Sequence, residues 1–207
     1  MDKNAFEVRN FDFEVRAEEN DAHGHMLTGR PIVYGVRTDL GYMDEIIEPG
    51  ALEHTDLRDV RFLVNHNTDM IPLARSRNNT ENSTMQMVVD ADGMGIRVDL
   101  DTENNADARA LYSAVKRGDI SGMSFMFTID SKEYDDLESD HPTRRVRSIG
   151  RVIEVSACTF PAYAQTSLQA RGLSYTLDSA RESLDSERAK MRAIAGQKAR
   201  IRILSMK

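Results

Sequence analysis

Three polar residues interrupt apolar runs in this sequence: His66, Ser124 and Glu154. His66 follows the run Val-Arg-Phe-Leu-Val at 60–64 and is flanked by Asn65 and Asn67. Ser124 opens a second run in Gly122-Met123-Ser124-Phe125-Met126-Phe127. Glu154 lies inside a third, Val152-Ile153-Glu154-Val155-Ser156-Ala157-Cys158. A carboxylate in such a segment carries a large desolvation cost unless it meets a hydrogen-bond donor, and an imidazole is one such donor. The three types together suit acyl transfer. A serine hydroxyl is a weak nucleophile until a base takes its proton. Neutral histidine is the side chain best matched to that task near pH 7. A carboxylate then fixes the imidazole tautomer and stabilises the imidazolium.

Spacing alone leaves the assignment open. Unrelated hydrolase lineages place this trio in different chain orders, and His–Ser–Glu is none of the three best known. Taken singly, His66 reads as a satisfied histidine, Ser124 as a turn serine or backbone cap, and Glu154 as a solvent-facing residue on a two-sided strand.

The elements around them follow from periodicity. Residues 6–15 alternate apolar and charged and predict one half-buried strand. Residues 32–36 predict a strand entered through Pro31, with a bulge or close approach at Gly35. A third strand covers 60–64. Residues 85–89 and 94–100 predict a hairpin turning on Asp92-Gly93. From Asn105 to Arg117 the period becomes helical, with Leu111, Ala114 and Val115 on one face and Gly118 as the C′ residue. Residues 124–130 and 146–160 are strand-like, separated by the polar loop 134–142, whose acidic cluster reads as a solvated face. After Pro161, Leu177, Ala180, Leu184, Met191, Ile194 and Ala195 recur at helical spacing, which predicts one or two amphipathic helices. Many strands, a central helix and a helical end suggest a mixed α/β, mainly β fold: a closed or nearly closed barrel decorated by helices.

Composition bounds the function class. The chain has 207 residues, 40% hydrophobic and 29% charged, enough apolar material for one core. Its net charge of −7 disfavours nucleic acid and anionic membrane as partners. The single cysteine, Cys158, allows no intrachain disulfide and no multi-cysteine zinc site, and reads as a small buried hydrophobe. No signal peptide and no apolar run of spanning length is visible, so a cytosolic protein is expected. A zinc site at His23-Gly24-His25 with His54 or an acidic residue is a rival reading, but a His-x-His beside a glycine is more often a surface loop.

At the same three places the sequence resembles the prohead maturation proteases of tailed phages. Leu63-Val64-Asn65-His66 is similar to their Leu-x-Asn-His block, and the segment around Ser124 to their Met-Ser-Phe-Gly-Phe block. Glu154-Val155-Ser156, followed by Thr159-Phe160-Pro161-Ala162-Tyr163, resembles their Glu-Val-Ser and Thr-x-Pro-Ala block. Glu45-Ile46-Ile47-Glu48-Pro49-Gly50-Ala51-Leu52 is similar to a further segment. The resemblance covers about residues 30–166. Met126 stands where glycine is common, and Leu52 where phenylalanine is.

The resemblance implies a β-barrel ringed by helices, related to the herpesvirus capsid maturation proteases. It implies Ser124 as nucleophile, His66 as general base and Glu154 as third member, a role that a second histidine fills in the herpesvirus relatives. It also implies the substrates: scaffolding protein or the scaffold-like segment of the major capsid protein, and the protease itself. No cofactor and no metal is implied. The expected location is the host cytoplasm, inside the prohead, and a homo-oligomer is compatible with it. The herpesvirus relatives further suggest oxyanion donors after Tyr163, with Arg171-Gly172 as mobile backbone. The expected organisation is a protease domain over 1–170 and a helical tail over 171–207. The rival from another class is a capsid-assembly module that kept the barrel and lost catalysis, with the tail as its docking helix.

Overall fold

The computed structural model describes residues 6–11, 15–20, 24–159 and 170–204. In chain order the elements are β1 (Phe6–Phe11), β2 (Val15–Asn20), β3 (Gly24–Val33), β4 (Arg37–Asp39), β5 (Asp44–Ile47), β6 (Asp59–Val64), β7 (Ala74–Arg77), β8 (Met85–Asp90), β9 (Gly93–Asp99), α1 (Ala106–Arg117), β10 (Gly122–Asp135), β11 (Thr143–Cys158) and α2 (Ala170–Leu204).

The long strand β11 is the spine of a seven-stranded sheet. One edge pairs with β10, which pairs onward with β1. The other edge is shared: Thr143–Val146 runs parallel to β5, and Glu154–Ala157 runs parallel to β6. β4 and β7 extend these two branches. A four-stranded sheet, ordered β2-β3-β9-β8, faces it. The main core lies between the sheets and under α1, filled by Phe62, Phe125, Phe127, Val152, Ile32 and Val98, all fully buried. Burying each such side chain contributes roughly 1.5–3 kcal/mol.

Helix α1 ends where its residues dictate. The Asn105 side chain accepts from the backbone N–H of Asp107 and Ala108, an N-cap, and Gly118 sits at φ 79° as the left-handed C-cap. Leu111, Tyr112 and Val115 form its buried face. The β8–β9 hairpin also forms, but Asp90 pairs with Gly93, so the two turn residues are Ala91 and Asp92 rather than Asp92 and Gly93. Gly93 instead belongs to the strand. A Cβ there would lie 2.0 Å from the Ile32 carbonyl oxygen, so β3 can cross this close only over a glycine.

Three expectations are corrected. The alternation across residues 6–15 is two strands in different sheets, β1 beside β10 and β2 beside β3, because one period of two cannot report a change of partner. The strand expected at 32–36 ends at Val33, and Gly35 (φ 72°) lies in the turn that follows. The strands expected to close a barrel form two sheets among the described residues, mainly β with two helices. In α2, Ala180 and Leu184 bury against Leu40 and Met43, whereas Met191 and Ile194 are exposed. Arg188 donates to the carbonyls of Leu137 and Ser139, so the same helix clasps the turn between β10 and β11. No helix among the described residues is long and apolar enough to cross a membrane.

Candidate active site

β6 and the second half of β11 run parallel, and this pairing sets the site. Glu154 pairs with Arg61 and Ala157 with Val64, so the chain leaving β6 passes beside the end of β11. Two left-handed residues, Asn65 at φ 51° and His66 at φ 57°, turn it back toward Glu154. Asparagine and histidine tolerate this region better than most residues, yet two in succession are strained, at a cost on the order of 1 kcal/mol each. Contacts with three residues hold them. The Asn65 N–H donates to the Ala157 carbonyl at 3.0 Å. The Asn65 side chain accepts from the Thr159 N–H and donates to Thr159 Oγ1, each at 3.0 Å. The His66 N–H donates to Ser156 Oγ at 3.1 Å.

So held, the imidazole meets the carboxylate: His66 Nδ1 lies 2.5 Å from Glu154 Oε1. Glu154 is 1% exposed and His66 18%. The second carboxylate oxygen, Oε2, accepts from the Ser156 hydroxyl at 2.6 Å. Each Glu154 oxygen therefore has a partner, which offsets the desolvation of a charge buried in this strand. A carboxylate on Nδ1 leaves Nε2 as the ring nitrogen for proton transfer.

Ser124 stands directly across from Ser156 in the β10–β11 ladder. It is fully buried, and its hydroxyl donates to the Arg9 carbonyl of β1 at 2.7 Å. The same hydroxyl meets the Cys158 side chain, and Cys158 Sγ lies 4.0 Å from His66 Nε2. Cys158 is thus a buried neighbour of the site, as its apolar context suggested. Burial and, next, the Glu154 carboxylate push its thiol up to about 12, so it stays protonated and unreactive near neutral pH. Beside His66, Val64, Asn65, Asn67, Met70, Leu111 and Ile120 line an open groove of about 510 Å³.

Of the three residues singled out by type, the structure joins His66 to Glu154 directly and sets Ser124 one strand away on the same face, linked through Ser156 and Cys158. Two contributors were missed as working residues, Ser156 and Asn65. The period of two already places Ser156 on the Glu154 face, whereas the role of Asn65 depends on Thr159, which is remote in sequence. The oxyanion stretch after Tyr163 lies outside the described residues up to 169, and Arg171 and Gly172 belong to α2 rather than to a loop. His23 is likewise outside them. His25 is engaged by Thr102 Oγ1 at 2.5 Å and packs on Tyr112, and His54 is exposed. The only three metal-type ligands gathered among the described residues are Asp39, Asp44 and His141, which include neither His25 nor His54.

Comparison with known proteins bears on the family of the chain. Over 130 residues the chain is 30% identical to the prohead protease of Enterobacteria phage HK97, a match covering 61% of this chain and 52% of that protein. The chain therefore spans about half the length of this relative. The structure of the bacteriophage T4 capsid assembly protease gp21 superposes with a TM-score of 0.42 at 11% identity, covering 76% of this chain and 100% of that one. The sequence profile of the caudovirus prohead serine proteases matches residues 11–179, which is most of the length. The chain belongs to the caudovirus prohead serine protease family.

Proposed function

We propose that this chain is a serine endopeptidase of phage prohead maturation, with Ser124 as nucleophile, His66 as general base and Glu154 orienting His66. The observation that carries the reading is the buried Glu154 carboxylate at 2.5 Å from His66 Nδ1, held by a strained two-residue turn whose anchors converge on β11. A carboxylate buried on an imidazole fits the tautomer-fixing role. Ser124 carries a hydroxyl on the same face, beside a thiol that burial keeps protonated.

In the mechanism, His66 Nε2 takes the Ser124 proton as Oγ attacks a peptide carbonyl, then gives it to the leaving amine. Water next cleaves the acyl-enzyme by the same route. Glu154 Oε1 holds His66 Nδ1 throughout, and Ser156 holds its second oxygen. The substrates in this reading are scaffolding protein or the scaffold-like segment of the major capsid protein, together with the chain itself. The setting is the interior of the prohead in the host cytoplasm. Residues 1–170 form the protease domain and 171–207 a helical tail.

The test follows intact mass over hours for purified wild type, Ser124→Ala and Cys158→Ala. Fragments from wild type and Cys158→Ala, and none from Ser124→Ala, are expected. Fragments persisting in Ser124→Ala but lost in Cys158→Ala would transfer the nucleophile to the thiol. No fragments from any of the three would favour the assembly-module alternative.

A further inference from the structure

β1 lies along β10 in the antiparallel register Phe6↔Thr128 through Phe11↔Met123, with Asn10 opposite Ser124. Without β1, this stretch of β10 would be an open sheet edge running through Ser124. An open edge accepts an extended peptide through its free backbone groups, with side-chain pockets adding specificity.

A buried cluster of four charges lies along this edge. Glu7 and Arg9 of β1 are 4% and 2% exposed, and Glu45 of β5 and Arg144 of β11 are 2% and 0% exposed. Arg9 Nε donates to Glu45 at 2.5 Å, and Arg144 donates to Glu7 at 2.6 Å. Arg9 also lies over the Phe127 ring, 5.6 Å from its centroid. Each side is also paired within itself. Arg144 Nε donates to Glu45 at 2.7 Å, and Arg9 contacts Glu7 on its own strand. Both halves are electrically neutral. Parting them therefore strands no unpaired ion, which is the usual obstacle to separating a buried salt bridge.

We propose that the β10 edge beside Ser124 is a peptide-binding groove, and that β1 occupies it as a self-supplied blocking strand. The ligand class is an extended peptide with an acidic residue followed two positions later by a basic one: Arg144 receives the first and Glu45 the second. While β1 is seated, the Arg9 carbonyl holds the Ser124 hydroxyl, and Ser124 is buried. The groove is thus a substrate site held shut by a segment that carries its recognition pattern. The assignment as a substrate site rests on Ser124 being the nucleophile, but the binding itself does not.

The experiment reads binding alone, in full-length chains that all carry Ser124→Ala, so failure of the catalytic reading does not affect it. A fluorescent peptide Phe-Glu-Val-Arg-Asn-Phe is titrated by anisotropy into a chain with native β1 and into one carrying Glu7→Lys and Arg9→Glu. Those two changes set like charges against Arg144 and Glu45 while leaving the groove intact. At least tenfold tighter binding to the charge-swapped chain is expected, together with at least tenfold preference for this peptide over Phe-Lys-Val-Glu-Asn-Phe. Equal affinity in the two chains, or no preference between the peptides, overturns the proposal. If the charge-swapped chain does not fold, Glu7→Gln with Arg9→Gln takes its place. Failure of both to fold also overturns the proposal, because a strand the fold cannot lose is not a displaceable occupant.

Discussion

The Glu154 carboxylate and the carboxylates of Glu7 and Glu45 are about equally buried in the same sheet, yet their partners differ in kind. Glu7 and Glu45 face two guanidiniums, Arg9 and Arg144, which carry their charge at every accessible pH, so the four charges cancel wherever both carboxyls are ionised. Glu154 faces one imidazole and one hydroxyl. Its partner can be neutral or charged, and it is partly open to solvent. The first cluster rests on ordinary extended strands. The second is held by consecutive left-handed residues with side-chain anchors on each. The contrast separates two uses of buried charge. Balanced ions fix one strand beside another. In the proposed function, a carboxylate on a strained backbone orients the titratable ring that moves a proton.

The comparison can be broken first at Ser124. Ser124→Ala should lower peptide hydrolysis by on the order of 10⁴-fold or more, measured as single-turnover cleavage, with little change in urea midpoint. Glu154→Gln keeps the nucleophile but spoils the His66 tautomer, and a loss on the order of 10³-fold is expected, smaller than for Ser124→Ala. Equal losses in the two variants would count against an orienting role for Glu154.

The ionic cluster should show the opposite profile. Arg144→Met leaves two buried carboxylates facing one guanidinium, and destabilisation of about 3–5 kcal/mol is expected in urea unfolding. A near-neutral result would mean that the cluster relaxes toward solvent. The pH dependence has a definite sign. Burial alone would raise the Glu7 carboxyl, but Arg9 and Arg144 outweigh it and hold it at about 2, against an ordinary 4.5. Its contribution, on the order of 3 kcal/mol, is fully present above about pH 4.5 and is lost as pH falls toward 2. Glu7→Gln should flatten this acid limb in denaturation measured across that window. An unchanged limb would assign the acid sensitivity to other carboxylates.

Ser156 sharpens the boundary between the two plans. It touches both the His66 backbone and Glu154, so Ser156→Ala should lower kcat by about tenfold with KM unchanged. A fall in stability with kcat unchanged would make Ser156 merely structural.

Much of this was readable from local pattern. The α1 caps, the β8–β9 hairpin and the strand before His66 depend on residues within a few positions of one another, where periodicity and turn chemistry act. The isolation of Glu154 in an apolar segment already demanded a donor. Chain order could not name that donor, because residues 66 and 154 meet only through the parallel β6–β11 pairing. The same limit produced the errors. Alternation across 6–15 reports which side chains face a core but not which strand lies alongside, so β1 and β2 looked continuous. Nothing in the residue types Glu7, Arg9, Glu45 and Arg144 signalled burial, and only packing decided that they are buried. The residue types and local elements were thus set by the sequence acting over short range. Which charges met, whether two sheets closed into a barrel, and what covered Ser124 were decided by long-range pairing, whose energy comes from contacts that no local spacing encodes.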